Sequence, residues 1–115
     1  SGIARLQAGI SNAQNRLANC FADGRGVPKD QVGAANWYHM SAEQGNVDAQ
    51  CSLATCYFNG EGVAKDAVEA YKWWNLAAAS GNENAAERRE SIAKKMTPEQ
   101  IAEAQRLSRE WKSEK

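Results

Sequence analysis

The chain has 115 residues, 43% of them hydrophobic, with 14 Lys plus Arg against 14 Asp plus Glu. That length suits one domain with its own core, and the balanced charge gives no long-range field to draw in nucleic acid or an anionic membrane. No apolar run approaches the roughly 20 residues of a membrane-spanning helix, and the first residues lack the basic and apolar regions of a signal peptide. A start at Ser1-Gly2 without an initiator Met suggests either an engineered start or a segment of a longer protein, so the compartment is left open. Cys20, Cys51 and Cys56 make an odd count with no CxxC pair and no His-rich stretch, which argues against a zinc site or a complete disulfide framework.

Sliding the sequence against itself gives a period of 36, with 16 of 36 positions identical between residues 13–48 and 49–84. Self-similarity at a fixed period of this size is the signature of stacked repeats. Upstream of the first copy, Ile3 to Gly9 falls where the end of an earlier unit's second helix is expected, with Gly9 in register with Gly45 and Gly81. Next, Ala13, Leu17, Cys20 and Phe21 fall at the i, i+4, i+7, i+8 spacing of a helix with one buried face, and Ala49, Leu53, Cys56 and Tyr57 repeat it. These are the A helices. Gly24 and Gly60 stand where a left-handed C-terminal cap is wanted, and Gly26 and Gly62 let the following loop turn sharply.

Asp30 and Asp66 are placed to cap the B helices, Asp66 with Glu69 in a capping-box-like pair. The B helices carry Ala34, Trp37, Tyr38, Ser41 and Ala42, then Ala70, Trp73, Trp74, Ala77 and Ala78, and stop at Gly45 or Gly81 before the N-cap residues Asn46 and Asn82. Small Ala residues let the helices approach closely, while Trp and Tyr fill the space between units. A weaker third copy starts at Ala85, with Arg89 in the repeated Leu position and no double-glycine loop. Thr97-Pro98-Glu99-Gln100 starts a last helix. Its apolar face is Ile101, Ala104, Leu107 and Trp111, and its charged face is Glu103, Arg106, Arg109, Glu110 and Lys112, as suits a cap that ends a stack. The expected fold is all-α: one domain with repeats at 13–48 and 49–84, a degenerate repeat and capping helix at 85–115, and an N-terminal capping helix.

The recurring Ala-x3-Leu, aromatic, Gly-x-Gly-Val, Asp, Ala-x2-Trp, Ala and Gly-Asn pattern resembles the Sel-one-like repeat family, a relative of tetratricopeptide repeats. Met96-Thr97-Pro98-Glu99-Gln100-Ile101-Ala102 resembles the C-terminal cap of its bacterial members. The resemblance implies a right-handed α-α superhelix of antiparallel helix pairs, the A helices lining a concave face, and a role as adaptor or scaffold rather than as enzyme. One secreted branch of the family pairs an A-helix cysteine with a B-helix cysteine. The B helices here hold no cysteine, so that feature does not carry over.

The chemistry-bearing residues each have a plain alternative. Cys20 and Cys56 share a repeat position and read as small core residues, while Cys51, matched by Asn15, reads as a half-exposed passive thiol. His39, the lone histidine, is the side chain a small hydrolase would need, but its partner in the repeat is Asn75, an ordinary polar position. The Gly24-Arg25-Gly26 and Gly60-Glu61-Gly62 loops lack the Lys-Ser or Lys-Thr ending of a phosphate-binding loop. Trp37 and Trp73 read as core between repeats, and Trp74 as either core or a stacking surface.

Turned away from the apolar stripes are Arg16 and Asn19, Ser52 and Thr55, and Arg88 and Ser91, two ladders across three units. They are the expected partner-binding residues, Arg16 and Arg88 offering charge-assisted bonds to carboxylates. The leading expectation is a non-catalytic module for a protein or peptide partner, without cofactor, metal, nucleic acid or membrane. The alternatives are a small hydrolase or cell-wall-ligand binder, which the resemblance to the cysteine-rich branch implies and for which His39 is the candidate group, and a spacer that self-associates through an open N-terminal end.

Overall fold

The structure is a computed structural model that describes residues 1–111, and its helices begin where side chains can accept the free N–H groups of a first turn. Asp30 caps α2 (Gln31–Glu43), Asn46 caps α3 (Val47–Asn59), Asp66 caps α4 (Ala67–Ala79), Asn82 caps α5 (Glu83–Ala93) and Thr97 caps α6 (Pro98–Glu110). The first helix, α1 (Gly2–Asp23), is capped by Ser1. Six helices and no strand occur among the described residues. Thr97 and Gln100 form a reciprocal capping box, whereas Asp66 accepts from Val68 and Glu69 N–H without a return bond, because Glu69 turns to Lys72 instead.

The turns between paired helices are built twice with the same geometry. Gly24 (φ 70°, ψ 36°) and Gly60 (φ 72°, ψ 40°) end α1 and α3 in the left-handed region, which costs an L-residue its Cβ clearance. The N–H of Asp30 then donates to the Phe21 carbonyl, and that of Asp66 to the Tyr57 carbonyl. Each B helix is thereby tied to the end of its own A helix.

Each helix from α1 to α5 packs on the next in sequence, and α6 folds back onto α4. This is a helical solenoid. Ala18, Ala34, Ala42, Ala49, Ala54, Ala70, Ala77, Ala85 and Ala104 have no exposed surface, so the helix axes approach over methyl groups and the large side chains fill what is left. Trp73 is fully buried, with the ring of Trp111 edge-on at 5.9 Å and His39 at 6.0 Å. Trp111 in turn donates to Glu43 at 3.2 Å, pinning the end of α6 to α2. Trp74, left open by the sequence, is 2% exposed.

Three expectations change in the structure. Gly9 does not end a helix: α1 runs unbroken through it, because its register-mate of the capping residues Asn46 and Asn82 is Ile10, which has no side-chain acceptor to start a new helix. The apolar stripe of α1 is not buried as in α3. Ala13 is exposed and Leu17 is 37% exposed, while Ala49 and Leu53 are at 0%, since α2 covers the stripe of α3 and no helix precedes α1 among the described residues. Cys20 is accordingly half-buried where Cys56 is buried. Lys112, expected on the charged face of the last helix, lies outside the described residues.

Candidate partner-binding surface

Two depressions lie between successive A helices, and their linings coincide at the 36-residue period where Tyr38 matches Trp74 and Ser52 matches Arg88. The first runs between α1 and α3, lined by Ala22 and Asp23 on one side, Ser52, Thr55 and Cys56 on the other, and Tyr38 of α2. The second runs between α3 and α5, lined by Asp48, Cys51, Ser52 and Thr55 on one side, Asn84, Ala85 and Arg88 on the other, and Trp74 of α4. Tyr38 and Trp74 are 36 residues apart, so the same B-helix position supplies an aromatic to each depression. Ser52 and Thr55 belong to both, which makes α3 the rib between two similar grooves.

The expected site residues divide on this surface. Ser52, Thr55 and Arg88 line the second groove, and Ser91 lies with Arg88 on its continuation along α5. Asn19 is half-buried and its side-chain oxygen accepts the Tyr38 hydroxyl. Arg16 is exposed on α1 but borders neither groove. Thr55 spends its hydroxyl on the Cys51 carbonyl at 3.0 Å, so toward a partner it presents mainly a methyl group and an oxygen acceptor. The Arg88 side chain makes no hydrogen bond or ion pair among the described residues, unlike that of Arg89, which donates to Asn75 at 2.9 Å. Sequence reasoning missed Tyr38 and Trp74 as groove residues, although their equivalence at the period was a usable signal.

The ionisable groups here are tuned mainly by burial. The Tyr38 hydroxyl is pushed above its usual range by desolvation, partly offset by the Ser52 hydroxyl beside it. Burial holds the Cys56 thiol up at about 11, with Glu61 adding to the effect. Cys51 is raised by burial and by Asp48, against the pull of Arg88. A thiol held protonated is a poor nucleophile, so both behave as packing groups. His39 is exposed and pairs with Glu43 at 3.4 Å, and no hydrogen bond joins it to a cysteine among the described residues. Among those residues no three His, Cys, Asp or Glu side chains cluster as metal ligands, and no helix is long and apolar enough to cross a membrane. The second glycine loop is a packing element, since a Cβ on Gly62 would meet the Gln31 carbonyl oxygen at 2.0 Å.

A 36-residue recurrence and helices that pack in sequence order define an α-helical repeat solenoid. Two Sel1 repeats are matched, at residues 11–46 and 47–82, and the chain belongs to the Sel1 repeat family. Among solved structures it is similar to a protective antigen of uropathogenic Escherichia coli strains displaying an SLR fold, at 37% identity and TM-score 0.85, over 88% of this chain and 22% of that one. It is also similar to a Sel1 repeat protein from Oxalobacter formigenes, at 43% identity and TM-score 0.70, over 72% of this chain and 62% of that one. The chain thus spans about a fifth of the length of the first relative and 62% of the second. No curated protein matches it. Sel1 repeats commonly serve as protein-interaction modules and are generally non-catalytic.

Proposed function

We propose that the chain is a non-catalytic interaction module that takes a segment of a protein or peptide partner across the exposed sides of α1, α3 and α5. The observation that carries this reading is the pair of grooves between successive A helices, each with an aromatic from the same B-helix position and with Ser52 and Thr55 as their shared rib. Stacked units present side chains at regular steps, which suits an extended ligand. Ser52, Arg88 and Ser91 offer it donors and acceptors, Arg88 the charge-assisted bond, and Asn19, whose oxygen is engaged by Tyr38, only its amide N–H groups. Arg16 can take part only with a ligand long enough to reach over α1.

The test is selection of a random-peptide display library on this chain, with Ser52→Arg/Thr55→Arg as counter-screen. Both substitutions are on half-buried helical positions, and an unchanged circular dichroism spectrum shows that the fold persists. Peptides enriched on the parent and lost on the double variant support the reading. Equal enrichment on both places the binding surface elsewhere.

A second reading rests on α1, where Ile3 is 71%, Leu6 66%, Ile10 45% and Leu17 37% exposed. Spaced at helical intervals, they form a stripe along one side of α1 rather than singly scattered apolar side chains. On this reading the stripe covers itself by stacking on another helix, from a second copy of the chain or from a further repeat. Sedimentation velocity of the parent and of Ile3→Glu/Leu6→Glu decides it: concentration-dependent association lost in the variant supports stacking, and a parent that stays monomeric at high concentration refutes self-association.

A further inference from the structure

Past Trp74 the second groove continues toward the end of α5 as an apolar trench. Its two adjoining depressions, of about 390 and 500 Å³, share Phe58, Ile92 and Lys95. Trp74 borders the first and Met96 the second. Three cations stand on its rim, Arg88, Lys95 and Lys65, and no carboxylate lines it. The neighbouring surface differs: Asp48 lines the polar part of the second groove, and Asp23 and Glu61 line the first. In a chain with no net charge, this sets a local positive field over an apolar floor. Arg88, Lys95 and Lys65 make no ion pair or side-chain hydrogen bond among the described residues, so their charges are available to a ligand.

We infer that this trench holds an extended acidic segment of the partner, one bulky apolar side chain seated between two carboxylates. The inference rests on the reading of the grooves as a binding surface and adds the chemistry of the ligand. Arg88, Ser91 and Ile92 follow the i, i+3, i+4 spacing of one face of α5, and Lys95 stands in the turn just past its C-cap Lys94. Six helical steps of about 1.5 Å from Arg88 to the C-cap Lys94, with the turn residue beyond, separate the two cations by roughly 10 Å along the axis. An extended polyproline-II-like segment advances about 3.1 Å per residue and returns every third side chain to the same side, so the matching carboxylates stand three residues apart. The apolar residue between them sits over Phe58 and Ile92. A basic segment is repelled by three like charges, and an uncharged apolar one leaves the cations without partners.

The probe is a fluorescein-labelled Gly-Ser-Ser-Glu-Ser-Phe-Glu-Ser-Gly peptide, followed by fluorescence anisotropy. Two companions complete the set, one with lysine for both glutamates and one with alanine for phenylalanine. The acidic peptide should bind saturably and more weakly as salt rises, with each companion weaker by about tenfold or more, as expected for two ion pairs or one buried aromatic ring. Arg88→Glu/Lys95→Glu should lose the acidic peptide by a similar factor and gain the lysine peptide, a reversal that mere misfolding cannot produce. Equal affinity for the acidic and lysine peptides overturns the inference, as does indifference to the double reversal. Tighter binding of phosphatidylserine vesicles or oligothymidylate than of the peptide, abolished by the same reversal, also overturns it, because the trench would then read bare anionic charge. If these peptides fail while the display library still enriches ligands lost on Ser52→Arg/Thr55→Arg, the groove reading stands and the acidic chemistry falls. If neither enriches, both fall.

Discussion

Replacing Gly26 and Gly62 by alanine, one at a time, should cost unequal amounts although the two glycines share a repeat position and a backbone conformation, φ 76° and 74°. In both, alanine must enter the left-handed region, at about 1 kcal/mol. At Gly26 a Cβ meets nothing within 4 Å, so the cost ends there. At Gly62 it meets the Gln31 carbonyl oxygen at 2.0 Å and the Gln31 carbonyl carbon at 2.5 Å. Those are backbone atoms in the first turn of α2, which no rotamer change can clear, so the inter-helix contact must open. Forced overpacking adds about 2 kcal/mol or more, for a total near 3 kcal/mol. Urea denaturation followed by tryptophan fluorescence measures both, and the difference of about 2 kcal/mol corresponds to roughly 8 °C in melting temperature. Equal costs within about 0.5 kcal/mol would refute the packing of the second glycine loop on α2, and with it the stacking of one repeat on the next.

The same neighbour effect should divide Leu17 from Leu53: Leu53→Ala empties a fully buried site and should cost about 2–5 kcal/mol, Leu17→Ala under about 1 kcal/mol, by chemical denaturation. Thr97→Ala removes the acceptor of the α6 capping box and should cost about 1 kcal/mol, with hydrogen exchange accelerated first in α6. Alkylation followed by mass spectrometry should modify Cys56 last of the three cysteines, its folded-state rate still climbing toward pH 11. The unfolded thiol ionises near pH 8.5 and the folded one holds its proton to about 11, so over that range the folded state binds more protons and stability should fall as pH rises. Burial of Tyr38 and Tyr57 pushes stability the same way at higher pH.

The period, the pairing of helices and their caps were legible because each rests on chemistry local to a few residues. Asn46, Asp66, Asn82 and Thr97 sit where a first turn needs an acceptor, and Gly24 and Gly60 where a turn needs positive φ. What one repeat looks like does not say what lies beside it. Leu17 and Leu53 are the same residue in the same local pattern and differ in burial only because α2 precedes α3. Gly9 matched the glycines that end B helices, yet the break also needed an acceptor where Ile10 stands. The ladder of Ser52, Thr55, Arg88 and Ser91 followed from helical spacing, but the groove between ladders depends on how far apart α3 and α5 sit, and Trp74 shapes that groove from another helix. Asn19 was read as free, and it is taken up by Tyr38 across nineteen residues of sequence.

The most direct test of the central claim is a ¹⁵N–¹H correlation titration of the folded chain with a display-selected peptide, which reads every backbone amide at once. The account predicts shifts concentrated at Asn19, Ser52, Thr55, Arg88 and Ser91 and spreading to Tyr38 and Trp74, with Met40 and Val32 on exposed parts of α2 unmoved. Shifts centred on Val32 and Met40, or on Ile3 and Leu6 of α1, with the A-helix ladder silent, would contradict it.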